Sequence, residues 1–146
     1  KQEGAKLITG GNRIEVITDD GASDGYYIKP AVFTEVDPEQ KIAQEEIFGP
    51  VLSVFTFKDE AEAIQLANNS CYGLAAGVAT TNLSRAYRLA QSLNVGSVAI
   101  IGTSTPGAGG IASIGTEPHR ESGIGTESGL TGLMAYSIGS VAYMLT

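Results

Sequence analysis

The chain is short of several things, and each shortage excludes a class of function. It has one cysteine, so no internal disulfide and no multi-cysteine metal site can form. It has one histidine, which leaves few ways to build a zinc centre, and no metal is expected. Bases are outnumbered, 9 against 16 acids, for a net charge of −7. Phosphate binding needs a basic footprint, so nucleic acid is not an expected partner. No apolar run reaches the roughly 18 residues of a membrane span, and the N-terminus lacks the basic-then-apolar pattern of a secretion signal. Internal repeats and charged low-complexity tails are also missing. What remains, at 42% hydrophobic and 17% charged over 146 residues, is the composition of one folded domain. A reducing, cytoplasmic setting fits the cysteine usage. The chain opens on "KQEGAKLITGG" with no initiating methionine, and reads as a piece of something longer or a processed product.

Periodicity gives a series of elements. "AKLITGG" (5–11) is a strand closed by a glycine turn, and "RIEVITDDGASDG" (13–25) a strand edge running into a surface loop. "YYIKPAVFTEV" (26–36) has strand composition, with Pro30 demanding an edge or a bulge. Asp37 as cap and Pro38 at the first helical position start a short helix over 37–46. "VLSVFTF" (51–57) alternates as a strand, Asp59 opens a helix, and "YGLAAGVAT" (72–80) is an apolar run. Asn82 caps a helix with Leu83, Ala86, Tyr87, Ala90 and Leu93 on one face, and "VGSVAII" (95–101) follows as a strand. This alternation predicts an α/β fold: a layered parallel sheet with flanking helices. Beyond Ile101 the texture changes, with nine glycines in residues 102–132. A long glycine-rich loop, a short helix within 126–137 and an exposed final strand over 140–146 are expected.

Four candidate sites emerge, each with a plain alternative. "GAGGIA" (107–112) formally matches G-x-G-x-x-A. However, the fingerprint needs its first glycine directly after a strand and a helix beginning inside it; five residues separate Ile101 from Gly107, and a flexible loop is the better reading. Cys71 sits between a helix C-terminus, which disfavours a thiolate, and a strand, with His119 far away in sequence; it reads as an incidental thiol rather than a nucleophile. Glu46 and Phe48, in "EEIFGP" (45–50), pair an acceptor suited to ribose hydroxyls with a ring that can pack on a flat heteroaromatic. Their plain alternative is a capping acid and a core phenylalanine. Glu127 follows flexible glycines and can relay protons, or can simply be an acid in a helix first turn.

These motifs, taken in order, resemble the NAD(P)-dependent aldehyde dehydrogenases. "GYYIKPAVFTEVDPEQKIAQEEIFGPVLSVFTFKDEAEAIQLAN" is similar to the stretch around that family's E-E-I-F-G-P signature, "YGLAAGVATTNLSRAYRLAQSLNVGSVAI" continues it, and "RESGIGTESGLTGLMAY" resembles its K-x-S-G-x-G-R-E segment. The resemblance implies that Glu46 binds the nicotinamide ribose, that Phe48 packs near the nicotinamide of NAD or NADP, and that Glu127 supports proton relay. It further implies oxidation of an aldehyde to a carboxylic acid through a nucleophilic cysteine and a glutamate base that lie upstream of this chain. The isolated chain is then expected to be inactive, with the remainder of the dehydrogenase as partner if the protein is split. By the same resemblance, residues 1–136 are the C-terminal part of a catalytic domain, including the glycine-rich loop at 102–125, and 137–146 form an oligomerisation strand that makes a homo-oligomer. Departures are local: "GTEP" (115–118) stands for P-F-G-G, Arg120 for the motif's lysine, Thr126 for its arginine, and "SIGS" (137–140) for T-x-x-K. The rival reading is a non-catalytic, stand-alone module that associates through its terminal strand.

Overall fold

The computed structural model describes residues 3–14, 25–102 and 115–144. They fall into two compact units, Lys1–Leu66 and Ala67–Thr146. In the first unit, β1 (Lys6–Thr9) pairs antiparallel with β4 (Ala31–Thr34), with a register shift between Leu7 and Thr9. β4 pairs parallel with β5 (Val51–Ser53), completing a three-stranded sheet in the order β1-β4-β5. A small ribbon joins β2 (Arg13–Ile14) to β3 (Tyr27–Ile28). Pro30 does what its missing N–H requires: it splits the 26–36 run into β3 and β4. Gly10, at φ +73°, turns beneath it, and a Cβ there would lie 1.7 Å from the Pro30 carbonyl oxygen.

The parallel β4–β5 pair is bridged by α1 (Lys41–Gln44). This helix is shorter than expected and begins later. Asp37 does not cap it; its Oδ1 accepts from the Glu39 N–H at 2.9 Å and closes a turn instead. Gln40 occupies the cap position without a side-chain cap bond, and the N–H of Lys41 donates to the Glu3 carboxylate at 3.0 Å, so a residue 38 positions away supplies the cap. α2 (Glu60–Asn68) starts as expected, with the Glu62 N–H donating to Asp59 Oδ1 at 2.9 Å and Glu62 accepting from the Lys58 N–H at 2.6 Å.

The second unit is built on β7 (Ala75–Ala79) and β8 (Ser97–Ile101), a five-residue parallel pair connected through α3 (Leu83–Ser92). Asn82 caps α3 as expected, its Oδ1 accepting from Arg85 N–H at 2.9 Å. The apolar run at 72–80 is two strands, because Leu74 breaks β6 (Tyr72–Gly73) from β7. β6 pairs antiparallel with β9 (His119–Arg120), an element the sequence did not announce. α4 (Gly129–Met134) forms as expected.

Three expectations need correction. The strand at 51–57 stops at Ser53. The α3 face is incompletely buried: Ala86 is inside, but Leu83 and Tyr87 are 84% and 67% exposed. No strand forms over the described part of 137–146, since residues 137–144 form no β-ladder with another described residue and a strand needs a partner edge. The remaining α/β expectation holds, with parallel pairs and flanking helices. The glycine motif at 107–112 lies outside the described residues. Among the described residues the buried apolar side chains are few: Ala5, Ala31 and Val36 in the first unit, Val78 and Ala86 in the second. No helix among them is long and apolar enough to cross a membrane.

Candidate functional site

The first unit presents Glu46 and Phe48 on the irregular link between α1 and β5. Glu45 ends α1 with its N–H on the Lys41 carbonyl, and its carboxylate pairs with the Lys41 ammonium at 3.4 Å. The next carboxylate, Glu46, is exposed and makes no ion pair or hydrogen bond with any described residue. Two residues on, Phe48 takes φ +53°. That left-handed conformation is costly for a bulky side chain and is sustained by its flanks. Behind it the Pro50 carbonyl accepts from Ala31 N–H at 2.9 Å and the Gly49 carbonyl from Val51 N–H at 2.7 Å, so the link is anchored on the β4–β5 pair. The consequence is a phenylalanine ring 91% exposed. This overturns the plain reading of a core phenylalanine and a capping acid. Two open clefts of about 450 Å³ and 460 Å³ meet at this link. One is lined by Glu3, Lys41 and Glu46 among others, and the second by Glu46, Phe48 and Ser53 among others. The structure therefore brings Glu46 and Phe48 to one cleft.

The second unit holds Glu127. It is exposed and precedes Ser128, the N-cap of α4, so it lies outside the helix first turn where the plain reading put it. Its backbone is fixed on two sides. The N–H of Glu127 donates to the Thr116 carbonyl at 3.0 Å and the N–H of Thr116 to the Glu127 carbonyl at 2.8 Å. Buried Gly132 passes beneath, where a Cβ would stand 3.0 Å from the Glu127 carbonyl carbon.

Cys71 lies between α2 and β6, half-buried, and its carbonyl accepts from Glu121 N–H at 3.0 Å. His119 is engaged with Asn94. Among the described residues no group of three or more histidine, cysteine, aspartate and glutamate side chains could hold a metal ion. The residues missed by sequence reasoning are those that hold β9 in place, above all the guanidinium of Arg120. Its Nη1 donates to the Asn68 carbonyl at 2.9 Å and to the Ser70 carbonyl, at the end of α2. The only local signal was an arginine where the resembling motif has a lysine.

The chain as a whole has counterparts among known proteins. The model of the aldehyde dehydrogenase family matches residues 1–140. The chain belongs to that family. Its structure is similar to betaine aldehyde dehydrogenase from Staphylococcus aureus in complex with NAD+, with 40% identity and a TM-score of 0.78 over 92% of this chain and 25% of that one. It is similar at 37% identity to an aldehyde dehydrogenase of Mycobacterium tuberculosis complexed with NAD+, and at 41% to an indole-3-acetaldehyde dehydrogenase complexed with NAD+, each with a TM-score of 0.78 over 92% of this chain and 26% of the other. The chain thus spans about a quarter of the length of these solved relatives.

Proposed function

We propose that the chain serves an aldehyde dehydrogenase that oxidises an aldehyde to a carboxylic acid with NAD or NADP, and that it contributes the wall of the site facing the nicotinamide end of the cofactor. The observation that carries this is the pairing of a carboxylate without a partner among the described residues, Glu46, with a ring held out by a left-handed backbone, Phe48, on one cleft of about 460 Å³. The residues fit the group. An ionised carboxylate only accepts hydrogen bonds, and its two oxygens suit two vicinal ribose hydroxyls. The Phe48 ring offers a flat apolar face to an aromatic base. Bound there, the dinucleotide would supply the hydride acceptor for the aldehyde carbon. Glu127, exposed on a fixed backbone, is suited to taking a proton from water or a nucleophile and releasing it to solvent.

In this reading residues 1–136 are the C-terminal portion of a catalytic domain and 137–146 the oligomerisation segment, acting in the cytoplasm on an aldehyde. Exposed Tyr136, Ile138, Val141 and Tyr143 support association: they are 91%, 99%, 76% and 87% exposed, and the last three lie on backbone in no β-ladder with a described residue. The same stretch also favours the second reading, a non-catalytic module joined through its end. Native mass separates the two: a longer dehydrogenase polypeptide bound to or containing the chain supports the first, and self-association alone with no aldehyde-dependent NAD(P)H formation supports the second. Within the complete enzyme, Glu46→Gln is expected to lower kcat/KM for the cofactor by about 1–3 kcal/mol, the scale of a lost charge-assisted hydrogen bond. Unaltered cofactor kinetics would make Glu46 an ordinary surface acid.

A further inference from the structure

We propose that Arg120 is a positioning residue, whose guanidinium fork clamps the segment 115–128 to the body of the second unit and thereby sets the place of Glu127. The inference rests in part on the dehydrogenase reading, since it is there that Glu127 has work to do.

Each of the three guanidinium nitrogens has an acceptor. Nη1 reaches the carbonyls of Asn68 and Ser70, the first at 2.9 Å. The Asn94 amide, in the orientation that satisfies its neighbours, accepts from Nη2 at 2.8 Å and from Nε at 3.2 Å, and its amide nitrogen donates to His119 Nδ1 at 3.3 Å. Asn94 is itself fixed, its N–H donating to Asn68 Oδ1 at 2.8 Å while Asn68 Nδ2 donates to the Ser92 carbonyl at 2.8 Å. One planar group therefore ties β9 to the end of α2 and to the turn after α3. A lysine, a single point charge on a flexible stem, could not satisfy acceptors spread around a fork.

Two independent features show the segment seated rather than merely adjacent. Glycines stand where its backbone comes closest: a Cβ on Gly96 would lie 1.8 Å from the Glu117 carbonyl oxygen, and one on Gly73 would lie 3.0 Å from His119 Cβ. Gly73 N–H also donates to Ser122 Oγ at 2.8 Å. Arg120 holds φ +55°, an uncommon conformation for a non-glycine residue, sustained where the surroundings over-determine it. From β9 the chain runs back through Pro118 and Glu117 to Thr116, and Thr116 holds Glu127 by two backbone hydrogen bonds. Releasing Arg120 frees the segment that carries Thr116, and with it Glu127.

The test uses the complete polypeptide that carries this chain, with Arg120→Ala, Arg120→Lys and Glu127→Gln. Amide hydrogen exchange is expected to rise about tenfold or more across 115–128 in Arg120→Ala, the scale of a lost charge-assisted hydrogen bond, with 75–79 and 97–101 unchanged and partial recovery in Arg120→Lys. Exchange that is unaltered at 115–128, or that rises equally in β7 and β8, overturns the clamp. In aldehyde turnover Arg120→Ala is expected to lower kcat while leaving KM for the dinucleotide unchanged, and to add no further loss to Glu127→Gln. Additive losses overturn action through Glu127. An enzyme without aldehyde activity would refute the dehydrogenase reading alone, because the exchange measurement still decides the clamp.

Discussion

Glu46 and Glu127 are both carried on irregular backbone, and the two segments hold them in opposite ways. The Glu46 link is short, braced only at its ends by α1 and the β4–β5 pair, and its exposed ring is projected by a left-handed residue. The Glu127 segment is held along its length: the Thr116 bridge, the Arg120 fork, the Ser122 hydroxyl and the glycine contacts leave little of it free. A link between two firm anchors needs no side-chain support to aim one group. A glycine-rich segment with Gly123 at φ +144° and Gly125 at φ +104° has no stiffness of its own and must borrow it.

The largest expected effect tests that borrowed stiffness. Gly96→Ala drives a methyl into the Glu117 carbonyl, a backbone atom that cannot swing away, and should lower the stability of the second unit by about 1–3 kcal/mol in urea denaturation, with the loss confined to β6–β9 in hydrogen exchange. A neutral outcome would mean that the segment docks more loosely than its geometry shows. Asn82→Ala, which removes a cap from the same unit without touching the segment, should cost about 1 kcal/mol while leaving exchange at 115–128 unchanged. Phe48→Gly sharpens the contrast from the other side. Relief of the left-handed strain should raise the thermal stability of the first unit by up to about 1 kcal/mol, while cofactor affinity of the complete enzyme falls. The smallest effect belongs to Lys6→Ala: its pair with Glu35, at 3.1 Å between side chains 60% and 68% exposed, should contribute no more than about 0.5 kcal/mol.

Legibility in the sequence followed the range of the interactions. Asn82 reaches Arg85 three residues on, and Asp59 reaches Glu62, so both caps could be read from neighbouring letters. Pro30 announced an edge or a bulge, and the run in fact breaks there, because proline carries its restriction in its own ring. Asp37 misled for the opposite reason: its carboxylate found a nearer N–H in a turn, while the helix took its acceptor from Glu3. β9 was invisible, since two residues of no particular strand character gain their ladder only from Tyr72 and Gly73. The terminal segment 140–146 looked like a strand from its side chains, yet its described part, 140–144, forms none, because strand structure is a property of a pair.

For the candidate site, the sequence by itself determined the family, the α/β alternation and the identity of Glu46, Phe48 and Glu127, because residue types and spacings are local facts. The tertiary structure alone decided that Phe48 stands outside the core, that Glu46 is left without a partner among the described residues, and that Arg120 reaches the Ser70 carbonyl 50 residues away. The physical reason is common to all three. Exposure, vacancy and hydrogen bonding are set by which distant atoms arrive beside a side chain, and that is fixed only when the backbone has closed on itself.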